Sequence, residues 1–550
     1  MNRSEIEMLE RQGCFSDDWN KVKISEKTDL RRIRNVYFRG NVSVGAGTEI
    51  INVPGGLCDV RIGDHVRIVN VARIESHAGA VFGIGTEVAV LDETGSRPVK
   101  IYPGISSQTA AVAVLMPEYA SCTLRHLIDR HIEELPDMLE IGDRSEIIDC
   151  GPIQDVRIWP NVKVEGAAWL KNGSIVNNVD GRSGLTYVGQ GVNAENFIIE
   201  DAEVANGVIL RNTYVGQGCV IDKGFTAHDS LFFANCSMEN GEACAVFAGP
   251  YTVSMHKSSL LIGVQTSFMN AGSGTNMSNH MYKLGPMHWG VLERGVKTSS
   301  NSYLMHGSRI GAFSLVMGEH KTHPDTSDFP FSYVFGDAKG HSTLVPGAML
   351  KSYGLKRDSE KWPKRDRRDI PGLRKTDRIN FHTFNPNTMS MTMKAIKVID
   401  RILSESDPTS DYVTYKGLKI SRRSLEKGRK LYSLAISKYI QQHTGNTAQN
   451  NNSPGNGQKW IDLGGAVISE SQLNKALDAT SLNELENNLD RAMSCIDQIE
   501  SYWIKEQMKD MSIHKEDAMK GAVEFDTIVD NDRMASLDQV SGEAARFGHL

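Results

Sequence analysis

The sequence predicts a mainly β chain, a left-handed parallel β-helix of hexapeptide repeats that carries a helical insertion and is followed by an α-helical C-terminal region. Three observations predict it. An aliphatic residue followed by Gly or a small polar residue recurs in a six-residue cycle, clearest in Val44-Gly45-Ala46-Gly47-Thr48, Ile62-Gly63-Asp64-His65-Val66, Ile141-Gly142-Asp143-Arg144-Ser145, Val188-Gly189-Gln190-Gly191-Val192, Val215-Gly216-Gln217-Gly218-Cys219 and Ile310-Gly311-Ala312-Phe313-Ser314. Glycine outnumbers proline by 50 to 17 without a collagen period, which calls for many tight corners. After Pro371 the cycle stops and apolar residues recur at helical spacing. In such a coil each side is a short strand with its aliphatic residue inward and a small residue at the corner. Stacked turns bury one another, so the ends need caps.

Taken in order, residues 1–40 supply the N-terminal cap and 41–105 a first section of coil. The run Ala110 to Leu115, then Leu124, Leu127, Ile128 and Ile132, has helical spacing and makes 106–137 a helical insertion. The main coil occupies 138–352. An exit segment, 353–390, holds Lys361, Lys364, Arg365, Arg367 and Arg368 around Trp362, either a solvated face or a phosphate or acidic-partner site. In the helical region, 391–550, the stripes are Ala395, Ile399, Ile402 and Leu403, then Leu431, Leu434 and Ile440. The Asn- and Gly-rich tract 443–458 is expected as a disordered linker. The strongest helix starts at Ser481, where Ser481 and Glu484 form a capping box ahead of Leu482, Leu485, Leu489, Met493, Ile496 and Trp503. Beyond about Asp526 little periodicity remains.

Composition narrows the function classes. With 40% hydrophobic and 23% charged residues and a net charge of −6, the chain reads as soluble, with no nucleic-acid or membrane partner. Neither a signal-peptide core in Met1–Cys14 nor a membrane-length apolar run is present in the sequence, so a cytoplasmic location is expected. Eight cysteines without a C-x-x-C pair suggest reduced core thiols, not a disulfide framework or thiolate zinc site.

Histidines concentrate in one stretch. Seven of sixteen, at 256, 280, 288, 306, 320, 323 and 341, fall in 86 residues, where even spacing gives about 2.5. Histidine suits general-base work and metal ligation alike. A three-sided coil returns to the same side about every 18 residues, which stacks His288 on His306 and His323 on His341 when no loop intervenes. His320 and His323 would share a groove with Glu319. Three readings stay open: corner histidines bonded within the fold, a histidine base serving acyl transfer, or three histidines (His288, His320 and His323) holding a divalent metal with an open position for water.

Among these histidines lies Ala271-Gly272-Ser273-Gly274-Thr275-Asn276-Met277, which resembles the phosphate loop of sugar nucleotidyltransferases but sits in mid-chain, where a glycine-rich loop leaving the coil is the plainer reading. Gly272, Gly274, Thr275, Asn276 and Asn279, with Lys257 and Lys283, would still grip a phosphate.

Further segments carry a family resemblance: Gln12-Gly13-Cys14 with Asp18-Trp19, Ser230 to Cys236, Phe247-Ala248-Gly249-Pro250, Asn279 to Pro286 and Lys361 to Arg368. Over nearly the whole chain they resemble an uncharacterised family common in Bacteroidetes, described as a domain of unknown function and similar in fold to sugar nucleotidyltransferase tails and hexapeptide acyltransferases. An aromatic stands near the position of His306 in that family, so the set the resemblance implies is His256, His280, His288 and His320. No assigned catalytic residue carries over.

The leading expectation is a transferase acting on a phosphorylated or nucleotide-linked sugar, by acyl rather than nucleotidyl transfer, with acyl-CoA as the donor and a homotrimer as the assembly. A metal-dependent hydratase or hydrolase of γ-carbonic-anhydrase type and a noncatalytic ligand-binding scaffold are the alternatives.

Overall fold

A computed structural model describes residues 1–91, 95, 97–116, 122–135, 139–179, 186–278, 289–443 and 459–547. Two compact units emerge: Met1–Val264 with Asp366–Asp377, and Gln265–Arg365 with Arg378–Leu550.

The first unit opens with helix α1 (Arg3–Arg11), started by a capping box of Asn2 and Glu5. It then winds into a parallel coil whose three sides are three aliphatic stacks. One runs Ile33, Ile50, Ile68, Ile147, Val164, Val188, Val204, Ile221, Met238 and Ser254. A second runs from Phe38 and Leu57 through Ile74, Ile153 and Leu170 to Leu261, and a third from Val44 through Ile62 and Ile141 to Phe232 and Ala248. These residues are buried, because each inward side chain is covered by the turns above and below it. Turns without an inserted loop take 16 to 18 residues, as from Val188 to Val204 and from Ile50 to Ile68, so the 18-residue step expected from the sequence is the upper value for an uninterrupted turn.

Corners are set by residues in the left-handed backbone region. Asn35, Asn52, Asn70 and Asp149 form one column and Asn172, Asn196, Asn212 and Asp229 another, with φ between 47° and 59°. Asn and Asp tolerate this conformation better than other side chains. Each amide donates to the next corner: Asn35 to Asn52 (2.7 Å), Asn52 to Asn70 (3.0 Å) and Asn70 to Asp149 (2.8 Å), then Asn172 to Asn196 (2.8 Å), Asn196 to Asn212 (2.9 Å) and Asn212 to Asp229 (3.0 Å).

Between Glu75 and Glu140 the chain leaves the coil. Ile68 and Ile147 are neighbours in the stack although 79 positions apart, one 18-residue turn plus 61 inserted residues. This excursion begins earlier than the helical spacing indicated. It contains an antiparallel hairpin, Glu87–Ala89 with Pro98–Lys100, before helices α2 (Ser107–Leu115) and α3 (Cys122–Glu133).

The second unit holds further parallel turns, such as Thr298 on Val316 on Val334, and ends them with an antiparallel hairpin, Tyr333–Gly336 with Ser342–Val345. Helices follow: α4 (Tyr353–Lys364), α5 (Pro386–Glu405), α6 (Arg422–His443), α7 (Glu470–Leu477), α8 (Leu482–Ser494), α9 (Ile496–Asp510) and α10 (Lys515–Phe547). Two β-hairpins interrupt this helical region, Tyr412–Tyr415 with Leu418–Ser421 and Trp460–Leu463 with Ala466–Ser469. The buried Arg294 guanidinium fixes the second hairpin to the coil, donating to Asp462 (2.7 Å) and to the carbonyls of Asn380 (2.6 Å) and Gly465 (2.5 Å).

Three expectations need correcting here. The stripe from Leu482 to Trp503 is two helices, broken at Cys495. Ser481 caps α8, but the Glu484 carboxylate accepts from Thr480, so the reciprocal half of the box does not form. The tail past Asp526 continues as α10. The proposed linker, from 444 onward, lies outside the described residues.

Candidate functional site

The histidines do not converge as their spacing suggested. His320 is fully buried: Ser342 Oγ donates to its Nδ1 (2.8 Å), and its Nε2 donates to the Met317 carbonyl (3.2 Å). Burial lowers its pKa to about 4, so the ring stays neutral with both nitrogens used inside the fold. That removes His320 both as base and as metal ligand. Strand alternation turns Glu319 the other way, to an exposed pair with Lys321 (2.8 Å). His323 donates Nδ1–H to the His306 carbonyl, while His341 sits in the hairpin loop against Asp337 (3.2 Å). The chain has turned antiparallel by then, so His323 and His341 do not stack. His256 and Lys257 lie on an exposed corner before the strand Leu260–Ile262. His280, His288, Asn279 and Lys283 lie outside the described residues. Among the described residues no group of three or more His, Cys, Asp or Glu is placed to hold a metal ion.

Nor is the glycine-rich loop a phosphate cradle. Thr275 N–H and Oγ1 both donate to the Gly272 carbonyl (3.1 and 2.7 Å), and Gly272 N–H donates to Thr298 Oγ1 (3.0 Å). A Cβ at Gly272 would meet the Ser299 carbonyl carbon at 2.5 Å, because the next corner stacks directly on it. Gly274 takes a left-handed φ of 71°, and Asn276 N–H is bonded to Ser302 (2.8 Å). The loop is a corner of the coil.

A different cluster, in the first unit, gathers titratable groups that the sequence reading passed over. Strand Asn193–Glu200 ends in the buried acidic pair Glu200-Asp201. Gly104 N–H, just ahead of α2, and Tyr214 OH both donate to Glu200 Oε2 (2.8 and 2.9 Å), and Asn178 Nδ2 donates to Oε1 (2.8 Å). Burial first, then the Asp201 charge, raises the Glu200 carboxyl to about 7 against the pull of these three bonds. Asp201 is also raised by burial; its Oδ2 accepts from Asn178 (2.8 Å) and Gln217 (3.0 Å). Asp377 accepts the N–H of Ser107 (2.6 Å) and of Ala234 (2.7 Å), with burial raising its carboxyl. Burial, followed by Glu200 and Asp377, pushes the Tyr214 phenol well up.

The positive end of α2 explains why carboxylates collect here. Ser106 to Thr109, its cap and first residues, are completely buried, and the Ser107 N–H at its start donates to Asp377 beside the Gly104 bond to Glu200. Segment 366–377 forms the far wall. Arg368, almost wholly buried, pairs with Asp366 (2.9 and 3.0 Å) and donates to the Asp377 carbonyl (2.7 Å). Arg367 donates to the carbonyls of Gly218 (2.5 Å), Asn235 (3.0 Å) and Cys236 (3.1 Å). Arg368 is therefore a buried clasp, and Arg367, though exposed, clasps the same corners with its guanidinium.

With the geometry in place, the comparisons can be read. The chain belongs to a family described as a domain of unknown function, DUF4954, which matches residues 1–60 and 57–403. No curated protein matches it. Among solved structures it is similar to LpxA from Acinetobacter baumannii, at 11% identity over 76% of this chain and 95% of that one, with a TM-score of 0.13. A UDP-N-acetylglucosamine acyltransferase from Francisella novicida aligns at 12% identity over 75% and 94%, with a TM-score of 0.11. Values this low say nothing of substrate. Among the described residues no helix is long and apolar enough to cross a membrane.

Proposed function

We propose that this chain is a hexapeptide-repeat transferase that moves an acyl group from a thioester such as acyl-CoA to a phosphorylated or nucleotide-linked sugar, with Glu200 as general base. The observation that carries this reading is a buried carboxyl held at about 7, hydrogen-bonded to Tyr214 and seated at the start of α2. A base works best when its pKa lies near the operating pH, and perturbed carboxyls concentrate at reacting sites. Beside it, Asp201, Asn178 and Gln217 bond to one another and hold the acidic pair in place. The phosphate or nucleotide link rests on fold-level analogy.

In the proposed step the acceptor hydroxyl or amine displaces the Asn178 amide from Glu200 Oε1 and gives that oxygen its proton. The freed lone pair attacks the thioester carbonyl, the C–S bond breaks, and the proton passes to the departing thiolate. A cytoplasmic location, where acyl thioesters are made, goes with this reading.

The test is a thiol-release assay of the full chain against acyl-CoA donors of several lengths, paired with nucleotide sugars and sugar phosphates. Acceptor-dependent release that disappears in a folded Glu200→Gln variant is the expected result. Equal release by wild type and variant overturns the assignment of the base, and no release with any pair leaves the scaffold reading. Assembly as a homotrimer is part of the proposal: light scattering should give the mass of three chains, and a monomer mass would remove it.

A further inference from the structure

The second unit contains a cleft of about 580 Å³ between α4, the segment Phe381–Phe384, α6 and α10. That volume is in the range of small-molecule sites. Its apolar lining is aromatic: Phe381, Phe384 and Phe525, the last two in edge contact with ring centroids 5.7 Å apart. Three carboxylates, Glu360, Asp526 and Asp530, stand against two ammonium groups, Lys356 and Lys438. Lys438 is already neutralised by Asp526 (2.7 Å). Glu360 and Asp530 form no ion pair among the described residues, which leaves the lining one negative charge in excess. Thr383 also lines the cleft; its hydroxyl is buried and among the described residues has no hydrogen-bond partner, a state that is unfavourable until something supplies one.

We propose that this cleft binds a small organic ammonium ion, a primary or secondary amine carried on an apolar body. The aromatic rings take the body and attract the cation through their faces. The unpaired carboxylates Glu360 and Asp530 hold the charge, and the Thr383 hydroxyl accepts one ammonium N–H. An anion of the same size would meet a lining with one negative charge in excess, so charge sets the selectivity. The site is independent of the transferase reading.

Titration calorimetry on the full chain tests it, with 4-phenylbutylamine as the probe and 4-phenylbutanol and 4-phenylbutyrate as matched neutral and anionic controls. Saturable binding of the amine is expected, about tenfold or more tighter than the alcohol, with the carboxylate not bound. Glu360→Gln and Asp530→Asn, both at exposed positions, should each weaken the amine by about tenfold. Thr383→Val should weaken it about fivefold without altering the preference for the amine. The proposal is overturned if amine and alcohol bind alike, if both acid variants bind the amine as wild type does, or if no saturation is reached below about 10 mM.

Discussion

Glu200→Gln is expected to lower kcat of the acyl transfer about a hundred- to ten-thousand-fold, the usual contribution of a positioned general base. KM should change far less, because Gln fills the same space and its carbonyl oxygen keeps the bonds from Gly104 and Tyr214. The loss should not be shared by His320→Gln, whose parent ring is neutral and bonded on both sides. Kinetics on the two variants with one identified substrate pair make the comparison. A collapse in the histidine variant with full turnover in Glu200→Gln would return the base to histidine.

Arg368→Met should cost about 3–5 kcal/mol, the penalty for removing one partner of a buried ion pair. Asp366 would be left buried with only the half-exposed Lys375 (3.3 Å) as a charged partner; burial pushes its carboxyl up, but Arg368, with bonds from Asn235 and the backbone, outweighs this and holds it well below the usual range. The Asp377 carbonyl would lose a donor at the same time. Segment 366–377 should then release from the corners at Gly218 and Asn235, seen as a lower melting temperature and as lost hydrogen-exchange protection in that segment. The double variant Arg368→Met with Asp366→Asn should lose less than the sum of the two single changes. A single variant within about 0.5 kcal/mol of wild type would mean that the pair does not clasp the segment.

The coil was legible because its signal is local and repeated: an inward aliphatic and a small corner residue recur from Val44 to Ile310 whatever the loops between them do. What failed depended on exact register. Stacking His323 on His341 assumed that the coil continued, and the antiparallel hairpin at 333–345 ends it. The asparagine columns were readable in principle, as Asn or Asp recurring every 16 to 18 residues at Asn35, Asn52 and Asn70, but a glycine-centred template does not look for them. Both C-terminal hairpins also carried a sign. Lys416-Gly417 and Gly464-Gly465 take positive φ at both central positions, the geometry of two-residue hairpin turns, and the surrounding helical period masked them. The carboxylate cluster was the least visible. Glu200-Asp201 is an acidic pair closing the run Phe197-Ile198-Ile199, yet its partners Gly104, Tyr214 and Asp377 come from distant segments that only the fold brings together.

The account turns on Glu200 lying between its charged and neutral forms at neutral pH, and the pH dependence of stability reads this directly. A carboxyl whose folded value, about 7, lies above its unfolded one, near 4.5, binds an extra proton in the native state between the two. Its contribution is therefore complete on the acid side and is lost as pH rises through about 7, a fall of roughly 3 kcal/mol in all. Hydrogen-exchange protection of residues 193–215, followed from pH 5 to 8 and corrected for intrinsic exchange, is the measurement to make. Wild type should lose protection across that range more steeply than Glu200→Gln, in which only the raised Asp201 and Asp377 carboxyls still contribute, and the variant should match or exceed it at the alkaline end; the same slope in both proteins would contradict the account.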